Sequence, residues 1–583
     1  PTATTHPITE QGSTSNGNGN GTTAPSPHRG RDTWIRPLEA QAACSPEKDQ
    51  RHAIQGETDG AHPRNESYQK SAICNELPLE TAVGPDTIGL ATAPEPLIDL
   101  GLTFRLQSNP GASKIIYLDF DGHTTSGTAW NDSTMGSSFY SPAYDLDGSP
   151  STFSDAELTR IQQIWQRVAD DFMPFDVNVT TLAPPDDWLS KSGSTDPHYG
   201  VRAVATSYGP YSSSAGGIAF INSFTSSSDT PVFIYTRSAA GVAEGISHEV
   251  GHSLGLAHDG TSSYEYYSGH GSGETGWAPI MGYSYSRSVT TWDDGTYTGS
   301  NNSGSTGNLG AGADDLTVIT GGNGFTYRTD IAGNNLSAAT PLTISSSVAS
   351  QYGIIENRYD TDWFSFKLLN SGDLDLSFDP YWYRAYIDAD GTWGGASSSY
   401  LARTSDFDTS TTYPDNAANL DLSVELYDGK GALLAKSNDA GLATHLSVQG
   451  LSPDSYYLKV DGTGVGDPTA SPPSGYTDYA SIGDYWISGT ITQAADSAGG
   501  SSALPALPHL SAANLTHAEG TSSTPTVFLV QVSLDAPSTS TITVAYHTID
   551  GSAISSGSGA DYTATNGTLQ IAPGLTAATI PIS

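Results

Sequence analysis

Three histidines (His248, His252 and His258), together with Glu249 and Gly255, fall at short spacing in residues 248–259, which read HEVGHSLGLAHD. On a helix, His248 and His252 are four residues apart and about 40° from eclipsed, so both imidazoles project from one face. Gly255 stands where that helix must end, because glycine accepts the left-handed conformation that terminates helices. The chain can then fold back and bring His258 to the same point. Three neutral imidazoles leave a fourth position open, which is typical of a catalytic zinc site. We therefore predict a Zn²⁺ ion bound by His248, His252 and His258.

Glu249 follows the first of these histidines directly. It can reach a water molecule held on the same helix face, but it is badly placed to be a third ligand. We expect Glu249 to act as the general base that takes the proton of the water and passes it to the departing amine. By chance, the whole pattern should occur in roughly a few of every hundred thousand chains of this composition. This rarity favours a zinc site over an amphipathic helix with incidental surface histidines.

The elements that must position these residues follow from the apolar periodicity. The spacing predicts a helix over 154–171 with Ser154 as its N-cap, and the zinc helix over about 239–254. Apolar and β-branched runs predict strands over 114–120, 175–181, 200–207, 216–221 and 232–235. Strands alternating with two long helices indicate an α/β (α+β) domain with a mixed sheet. Residues 216–220 are our candidate for an edge strand that pairs with extended substrate, and an ordinary sheet strand is the alternative.

Length and charge bound the remaining possibilities. A chain of 583 residues is too long for one hydrophobic core, so several domains are expected. The formal net charge of -39 would repel nucleic acid and anionic membranes, so neither is expected as a partner. No apolar run is long enough for a membrane span. The abundance of Gly, Ser, Thr, Asn and Asp, with little Lys, indicates a secreted, extracellular protein. We expect its signal sequence to have been removed or not included, and we expect a monomer.

Residues 1–110 are predicted to be a low-complexity leader or pro-segment. They contain both cysteines of the chain, Cys44 and Cys74. Cys74 could cap the zinc ion before activation, since a thiolate is a better zinc ligand than water. A Cys44–Cys74 disulfide is an alternative, and a third possibility is that neither cysteine has a role.

Beyond the predicted catalytic domain, 111–326, the pattern changes to short strands and turns without a convincing helix. Residues 327–492 read as a β-sandwich, 493–507 as a linker, and 508–583 as a second all-β sandwich. The last predicted strand ends at the chain terminus, so this second unit could be incomplete. The fold class is therefore a mixed α/β catalytic domain followed by two all-β domains.

The motif at 248–259 resembles the extended zinc motif of the metzincin metalloendopeptidases. Members of that clan also carry a methionine in a tight turn beneath the zinc, and Met281 fits this position. Tyr283 resembles the tyrosine that can coordinate zinc in astacins and serralysins, which implies that its hydroxyl stabilises the oxyanion. Asp259 resembles the adamalysin/reprolysin families instead, so the subfamily stays open. The resemblance covers roughly residues 112–325.

The β-rich regions carry two further resemblances. Residues 354–366 and 420–428 resemble a bacterial pre-peptidase C-terminal domain, a β-sandwich that accompanies secreted proteinases. Segments within 519–569 resemble a Calx-beta domain, whose acidic turns bind Ca²⁺ in some members. This second resemblance implies possible calcium ligands at Glu519, Asp550 and Asp561, with ordinary turn carboxylates as the alternative.

Together these observations predict a secreted zinc-dependent endopeptidase that hydrolyses peptide bonds of extracellular proteins. Its partners would be protein or peptide substrates. The alternative is a catalytically inactive, zinc-containing adhesin or calcium-dependent binding protein, against which Glu249 argues, since a purely structural site has no use for that base. A metallohydrolase acting on a non-peptide substrate is a second alternative.

Overall fold

The computed structural model describes much of the chain. The described residues are 98–213, 215–285, 287–301, 314–388, 393, 397–403, 419–494, 510–512, 527–534, 542–548, 563, 565–571 and 575–582, together with the backbone of 73–75. Cys44, the side chain of Cys74 and the candidate calcium ligands Glu519, Asp550 and Asp561 lie outside these residues.

The α-helices of the described residues are α1 (Asp155–Asp171), α2 (Ala239–Leu254) and α3 (Asp315–Gly322). Helix α1 begins at a capping box, because the Ser154 side chain accepts from the Glu157 amide and the Glu157 side chain accepts from the Ser154 amide. Helix α2 ends at Gly255, whose φ of 112° lies in the left-handed region. The predicted bounds of both long helices are confirmed. Short 3₁₀ helices cover Leu100–Arg105, Asp186–Leu189, Ser223–Thr225, Gly273–Thr275 and Leu336–Ala338.

Eleven described strands precede position 327. They are β1 (Ile73–Asn75), β2 (Leu106–Gln107), β3 (Lys114–Asp119), β4 (His123–Ser126), β5 (Ser138–Ser141), β6 (Asn178–Thr180), β7 (Tyr199–Ala205), β8 (Gly217–Phe220), β9 (Val232–Ile234), β10 (Trp277–Pro279) and β11 (Val289–Thr291).

The β-sandwich region contains fourteen further described strands. They are β12 (Thr340–Pro341), β13 (Ile344–Ser345), β14 (Val348–Ile355), β15 (Asp362–Leu368), β16 (Gly372–Asp379), β17 (Trp382–Asp388), β18 (Ser397–Arg403), β19 (Leu422–Asp428), β20 (Leu433–Ser437), β21 (Thr444–Leu451), β22 (Asp454–Gly462), β23 (Val465–Asp467), β24 (Ser474–Tyr476) and β25 (Gly483–Gln493).

The main sheet of the described residues is mixed and has the order β1-β8-β9-β7-β3-β6-β2-β17-β18. Its centre is parallel, since β3 pairs in parallel with β6 and β7, and β7 with β9. Strand β8 runs antiparallel to β9, so the sheet is mixed as predicted. The hairpin β17–β18 joins this sheet through β2. The sheet therefore extends across position 327, at which the sequence predicts a domain boundary.

Two mainly antiparallel sheets form the β-sandwich. Their strand orders are β12-β15-β22-β19-β20 and β13-β14-β25-β16-β21. Alternate residues along β16 are buried, among them Leu374, Leu376 and Phe378. Strand β15 buries Phe364, Phe366 and Leu368 in the same way. This alternation is typical of sheets that bury one face.

The apolar core is continuous between the two regions. One cluster of buried residues contains Trp165 of α1 and Val250 of α2 together with Phe364 and Ile487 of the β-sandwich. Burial of apolar surface is the main favourable term in folding, so the two regions are expected to unfold with strong mutual dependence.

Near the C-terminus, five described strands form two small antiparallel sheets. They are β26 (Leu510–Ala512), β27 (Phe528–Leu534), β28 (Ile542–His547), β29 (Asn566–Ile571) and β30 (Ala577–Ile582). Strand β27 pairs with β26 and β30, and β28 pairs with β29.

Candidate metal centre

Helix α2 carries His248, Glu249 and His252 on a fully buried stretch, and each is 1% exposed. The left-handed turn at Gly255 then reverses the chain and returns His258 to the helix. One ring nitrogen from each of the three histidines lies within 4.8 Å of the others. The structure therefore brings together the three histidines that the sequence singles out as zinc ligands.

The Nδ1 atom of each histidine has an oxygen partner. His248 Nδ1 lies 2.8 Å from the Ile280 carbonyl oxygen, and His252 Nδ1 lies 2.9 Å from the Leu256 carbonyl oxygen. His258 Nδ1 lies 3.0 Å from Glu265 Oε1. Because an oxygen acceptor holds the proton on Nδ1, each ring presents an unprotonated Nε2 to the shared point. The Nε2 atoms of His252 and His258 are 3.0 Å apart.

The residues around this point fit a zinc ion. Among the described residues, His248 Nε2 and Glu249 Oε2 are buried without a hydrogen-bond partner. Burial lowers the pKa of His252 to about 3, and it also holds the pKa of His248 well below its usual range. The rings of His248 and His252 therefore stay neutral, which is the form that binds a metal. Three imidazole nitrogens in a buried cluster are a donor set that zinc prefers.

Glu249 is the buried carboxylate of the site. Burial holds its pKa well above the usual range, while the nearby His258 acts in the opposite direction. Strand β8 passes directly beside it, since a Cβ atom at Gly217 would lie 2.5 Å from Glu249 Oε1. Glycine at position 217 therefore lets the strand approach the carboxylate closely.

Met281 lies against helix α2. It is completely buried, and a Cβ atom at Gly251 of α2 would lie 2.5 Å from its Sδ atom. The Met281 carbonyl oxygen accepts from the Asp259 amide at 2.8 Å, directly after the third histidine. The adjacent residue, Ile280, is the one whose carbonyl oxygen bonds His248. The methionine turn thus contacts the helix and the returning chain at once.

Two residues near the histidines have no role in the sequence predictions. The Tyr266 ring lies 4.2 Å from the His258 ring and 6.2 Å from the His248 ring, between centroids. Glu265 is the carboxylate partner of His258. Tyr266 and Glu265 both lie in residues 264–267, an aromatic and acidic run that follows the histidine motif. That run is the sequence signal from which their place near the histidines could have been predicted.

Tyr283 lies just beyond Met281. Its amide donates to the Tyr267 carbonyl oxygen at 2.9 Å, and its ring is 5.0 Å from the Tyr285 ring between centroids. This hydrogen bond joins the methionine turn to the segment that carries Tyr266.

The described residues contain two further groups of carboxylates whose oxygens lie within 4.8 Å of one another. One is Asp145, Asp147 and Glu157, and the other is Asp330, Asp360 and Asp362 of the β-sandwich. Burial and the neighbouring Asp360 raise the pKa of Glu356, beside the second group, to about 10. Neither group was predicted from the sequence as a cluster.

Comparisons with known proteins support a metallopeptidase. The model of the reprolysin-like family of M12B metallopeptidases matches residues 185–259, a stretch that contains β8, α2 and all three histidines. No curated protein matches the chain.

Among solved structures, the chain is similar to the pre-peptidase C-terminal domain of a collagenase from Bacillus anthracis. The identity is 12% and the TM-score is 0.14, and the match covers 28% of this chain and 98% of that domain. Similarity this low carries no argument about function. None of the helices in the described residues has the length and apolar character needed to span a membrane.

Proposed function

We propose that the protein is a zinc-dependent endopeptidase that cleaves extended segments of proteins, with His248, His252 and His258 as the zinc ligands and Glu249 as the general base. The observation that carries this proposal is the convergence of three imidazole nitrogens beside a buried, unpartnered carboxylate oxygen of Glu249. The reprolysin-like match over residues 185–259 supports the same class of activity.

In the proposed reaction, water is activated at the zinc ion, and residues of the chain move its proton and orient the histidine rings. Bound zinc would act as a Lewis acid, and it would lower the pKa of a water molecule bound at the coordination position that the histidines leave open. Glu249 would take the proton of that water and deliver it to the leaving amine. The carbonyl oxygens of Ile280 and Leu256 and the Glu265 carboxylate orient the rings throughout. Tyr283 is proposed to stabilise the oxyanion with its hydroxyl.

Strand β8 is the proposed substrate edge. It lies beside Glu249, and extended peptides bind exposed sheet edges by main-chain hydrogen bonds. Strand β1 of the leader pairs antiparallel with it in the register Ile73↔Phe220, Cys74↔Ala219 and Asn75↔Ile218. A leader strand on this edge would exclude substrate, which supports the proposal that the leader is an inhibitory pro-segment. The zinc-capping thiol of Cys74 stays a prediction, as does the disulfide with Cys44.

The finer sequence predictions are also proposals. They are secretion, a monomeric state, the pre-peptidase C-terminal and Calx-beta identities of the two β-regions, and a calcium requirement. The acidic composition and the formal net charge of -39 are consistent with an exported protein.

The experiment is hydrolysis of casein or gelatin by the purified chain after removal of its leader, with metal analysis of the same sample. We expect turnover and about one zinc ion per chain. Glu249→Ala should abolish turnover while zinc is retained, because the carboxylate is not a ligand. Zinc binding without turnover at any pH, by chain from which the leader has been removed, would instead favour the inactive adhesin.

A further inference from the structure

A hydrogen-bonded chain links the β-sandwich to the zinc helix. Asn419, three residues before β19, donates from Nδ2 to Asp171 Oδ1 at 2.7 Å. The other oxygen of Asp171, at the end of α1, accepts from the Ser247 hydroxyl at 2.5 Å. Ser247 precedes His248 in α2, and all three linking side chains are buried. The β-sandwich is thus connected to the residue next to the first proposed ligand.

The same asparagine also contacts the segment after the methionine turn. Asn419 Oδ1 accepts from the Thr290 amide at 3.3 Å, and the Thr290 hydroxyl lies 3.2 Å from Glu244 Oε1. The other oxygen of Glu244 accepts from the Ser284 hydroxyl at 2.7 Å. Glu244 lies one helical turn before the first ligand, and Ser284 lies three residues after Met281. The second route therefore joins the zinc helix to the methionine turn.

Helix α1 completes the network. Arg167 Nη2 lies 2.6 Å from Glu244 Oε1, and both side chains are buried. Arg167 and Asp171 are four residues apart, so they lie on one face of α1 and contact α2 at successive turns. Buried charged groups are costly unless they are fully partnered, so the loss of one link disturbs its neighbours.

The backbone two and three residues after Asn419 is bonded to the rest of the β-sandwich. The Asp421 amide donates to the Ser481 hydroxyl at 2.8 Å, and that hydroxyl donates to the Asp421 carbonyl oxygen. The Leu422 amide donates to the Leu442 carbonyl oxygen at 2.9 Å. Asn419 is therefore tied to the β-sandwich through the residues that follow it, and to helix α1 and the Thr290 segment through its side chain.

From this geometry we infer that Asn419 is a positioning residue for the metal centre. By binding Asp171 and Thr290 together, it fixes the placement of the zinc helix relative to the methionine turn. The β-sandwich thereby becomes part of the catalytic unit. This inference rests on the proposed function, because it concerns the geometry of the proposed zinc site.

The test compares wild type with Asn419→Ala, which removes both side-chain contacts, after proteolytic removal of the leader from each purified full-length chain. We expect kcat to fall about tenfold or more with KM within about twofold, since small misplacements of catalytic groups carry losses of this size. We also expect zinc release to a chelator to accelerate by a similar factor. The absorption spectrum of the cobalt-substituted protein should change, because it reports ligand geometry. Ser247→Ala, at the other end of the link, should give the same signature.

Asn419→Asp provides a pH signature that a purely structural role would not produce. It places a second carboxylate against Asp171, whose pKa burial and the Glu244 charge raise to about 8. The other charged groups facing Asp171 are Arg167 and Asp170 on its own helix. At low pH one carboxyl of the new pair keeps a proton and can donate. Turnover relative to wild type should therefore fall as pH rises.

Tyr479→Phe is the matched control. The Tyr479 hydroxyl also joins the two regions, since it bonds the Asp314 carboxylate and accepts from the Leu316 amide at 2.9 Å. These contacts lead to α3. At equal loss of melting temperature, the control should keep the wild-type kcat and zinc-release rate.

If Asn419→Ala matches the control in kcat, zinc release and cobalt spectrum, the positioning role is overturned. If wild type binds zinc without turnover, the proposed function fails, while zinc release still tests the positioning role. A wild-type chain that binds no zinc overturns both.

Discussion

In the metal centre, burial lowers the pKa of imidazoles, whereas in the β-sandwich it raises the pKa of carboxyl groups. His252 is brought to about 3, while Asp362 is brought to about 8 and Glu356 to about 10. The cause is the same in both regions, because burial disfavours the charged form of any group. The outcomes differ, since a neutral imidazole is ready to bind a metal and a neutral carboxyl group is not.

This difference separates a site whose donor atoms suit a transition metal from a buried acidic cluster. The Nδ1 atom of each histidine has an oxygen partner, and one ring nitrogen of each lies within 4.8 Å of the others. The carboxyl groups of Asp330, Asp360 and Asp362 also lie close together. Their donor atoms are oxygens, which suit hard cations. Substitutions in the two regions should therefore affect zinc binding, turnover and the pH dependence of stability differently.

The largest expected effect is on the histidine cluster. His252→Asn should reduce peptide hydrolysis by about a thousandfold or more, because the zinc ion loses one of three protein ligands. The change removes an imidazole that is 1% exposed, so the loss should appear in bound zinc as well as in turnover. Metal analysis and casein hydrolysis on the same preparation measure both quantities.

Asp362→Asn is the corresponding change in the β-sandwich. It alters one carboxyl group of the acidic cluster and should leave zinc content and turnover within about twofold of wild type. A large loss of zinc in the Asp362 variant, or full activity in the His252 variant, would remove the distinction between the two regions.

The second prediction concerns pH. In the unfolded chain Asp and Glu lose their protons near pH 4, whereas folded Asp362 and Glu356 keep theirs to about 8 and about 10. Between pH 4 and 8 the folded protein thus holds protons that the unfolded chain has lost. The contribution of these two groups to the free energy of unfolding should therefore fall as pH rises through this window. Urea unfolding at several pH values, with a chelator present throughout, measures it.

Glu356→Gln sharpens this prediction, because the amide cannot ionise. The variant should show a shallower decline of stability with pH than wild type. A stability that rises from pH 5 to 8 in the presence of chelator would contradict the assignment of raised pKa values to these groups.

Much of the metal centre was predictable because its determinants are local. Ser154 and Gly255 mark a helix start and a helix end through the conformations and hydrogen bonds available to those residue types. His248 and His252 share a helix face through their spacing alone. The site residues carried by these elements follow from the same short stretch of sequence.

The long-range features were not predictable in this way. Asn419 and Asp171 are separated by 248 residues, and nothing in their local patterns indicates that they meet. The pairing of β17 with β2 depends on how two regions pack, since sheet edges pair through backbone groups that every residue carries. Tyr266 and Glu265 reach the histidines through an irregular loop, where apolar periodicity gives no guide.

The third prediction tests the packing beneath the zinc helix. Gly251→Ala would place a Cβ atom 2.5 Å from Met281 Sδ and 3.3 Å from side-chain atoms of Leu256 and Trp292. Overpacking of this kind typically costs about 1–3 kcal/mol. We expect a lower melting temperature and reduced turnover together, because the displaced methionine turn adjoins the His248 partner.

Gly321→Ala in α3 is its matched control. A Cβ atom there would meet no atom within 4 Å, so the change should be neutral or stabilising. If the two glycine variants had equal stability, close packing of Met281 on the helix would be disproved.

The smallest effect is expected at the start of α1, the helix that contacts both the zinc helix and Asn419. Ser154→Ala removes the side chain that accepts from the Glu157 amide, and it leaves one half of the capping box. Loss of such a cap costs about 1 kcal/mol. Ser151→Ala, at an exposed position in the preceding turn, should change the unfolding free energy by less than about 0.5 kcal/mol.

Because α1 is bonded at its other end to Ser247 and Asn419, the destabilisation by Ser154→Ala should lower thermal stability while zinc affinity stays unchanged. A weaker zinc affinity in Ser154→Ala would mean that the whole length of α1, and not only the turn at Asp171, sets the geometry of the metal centre.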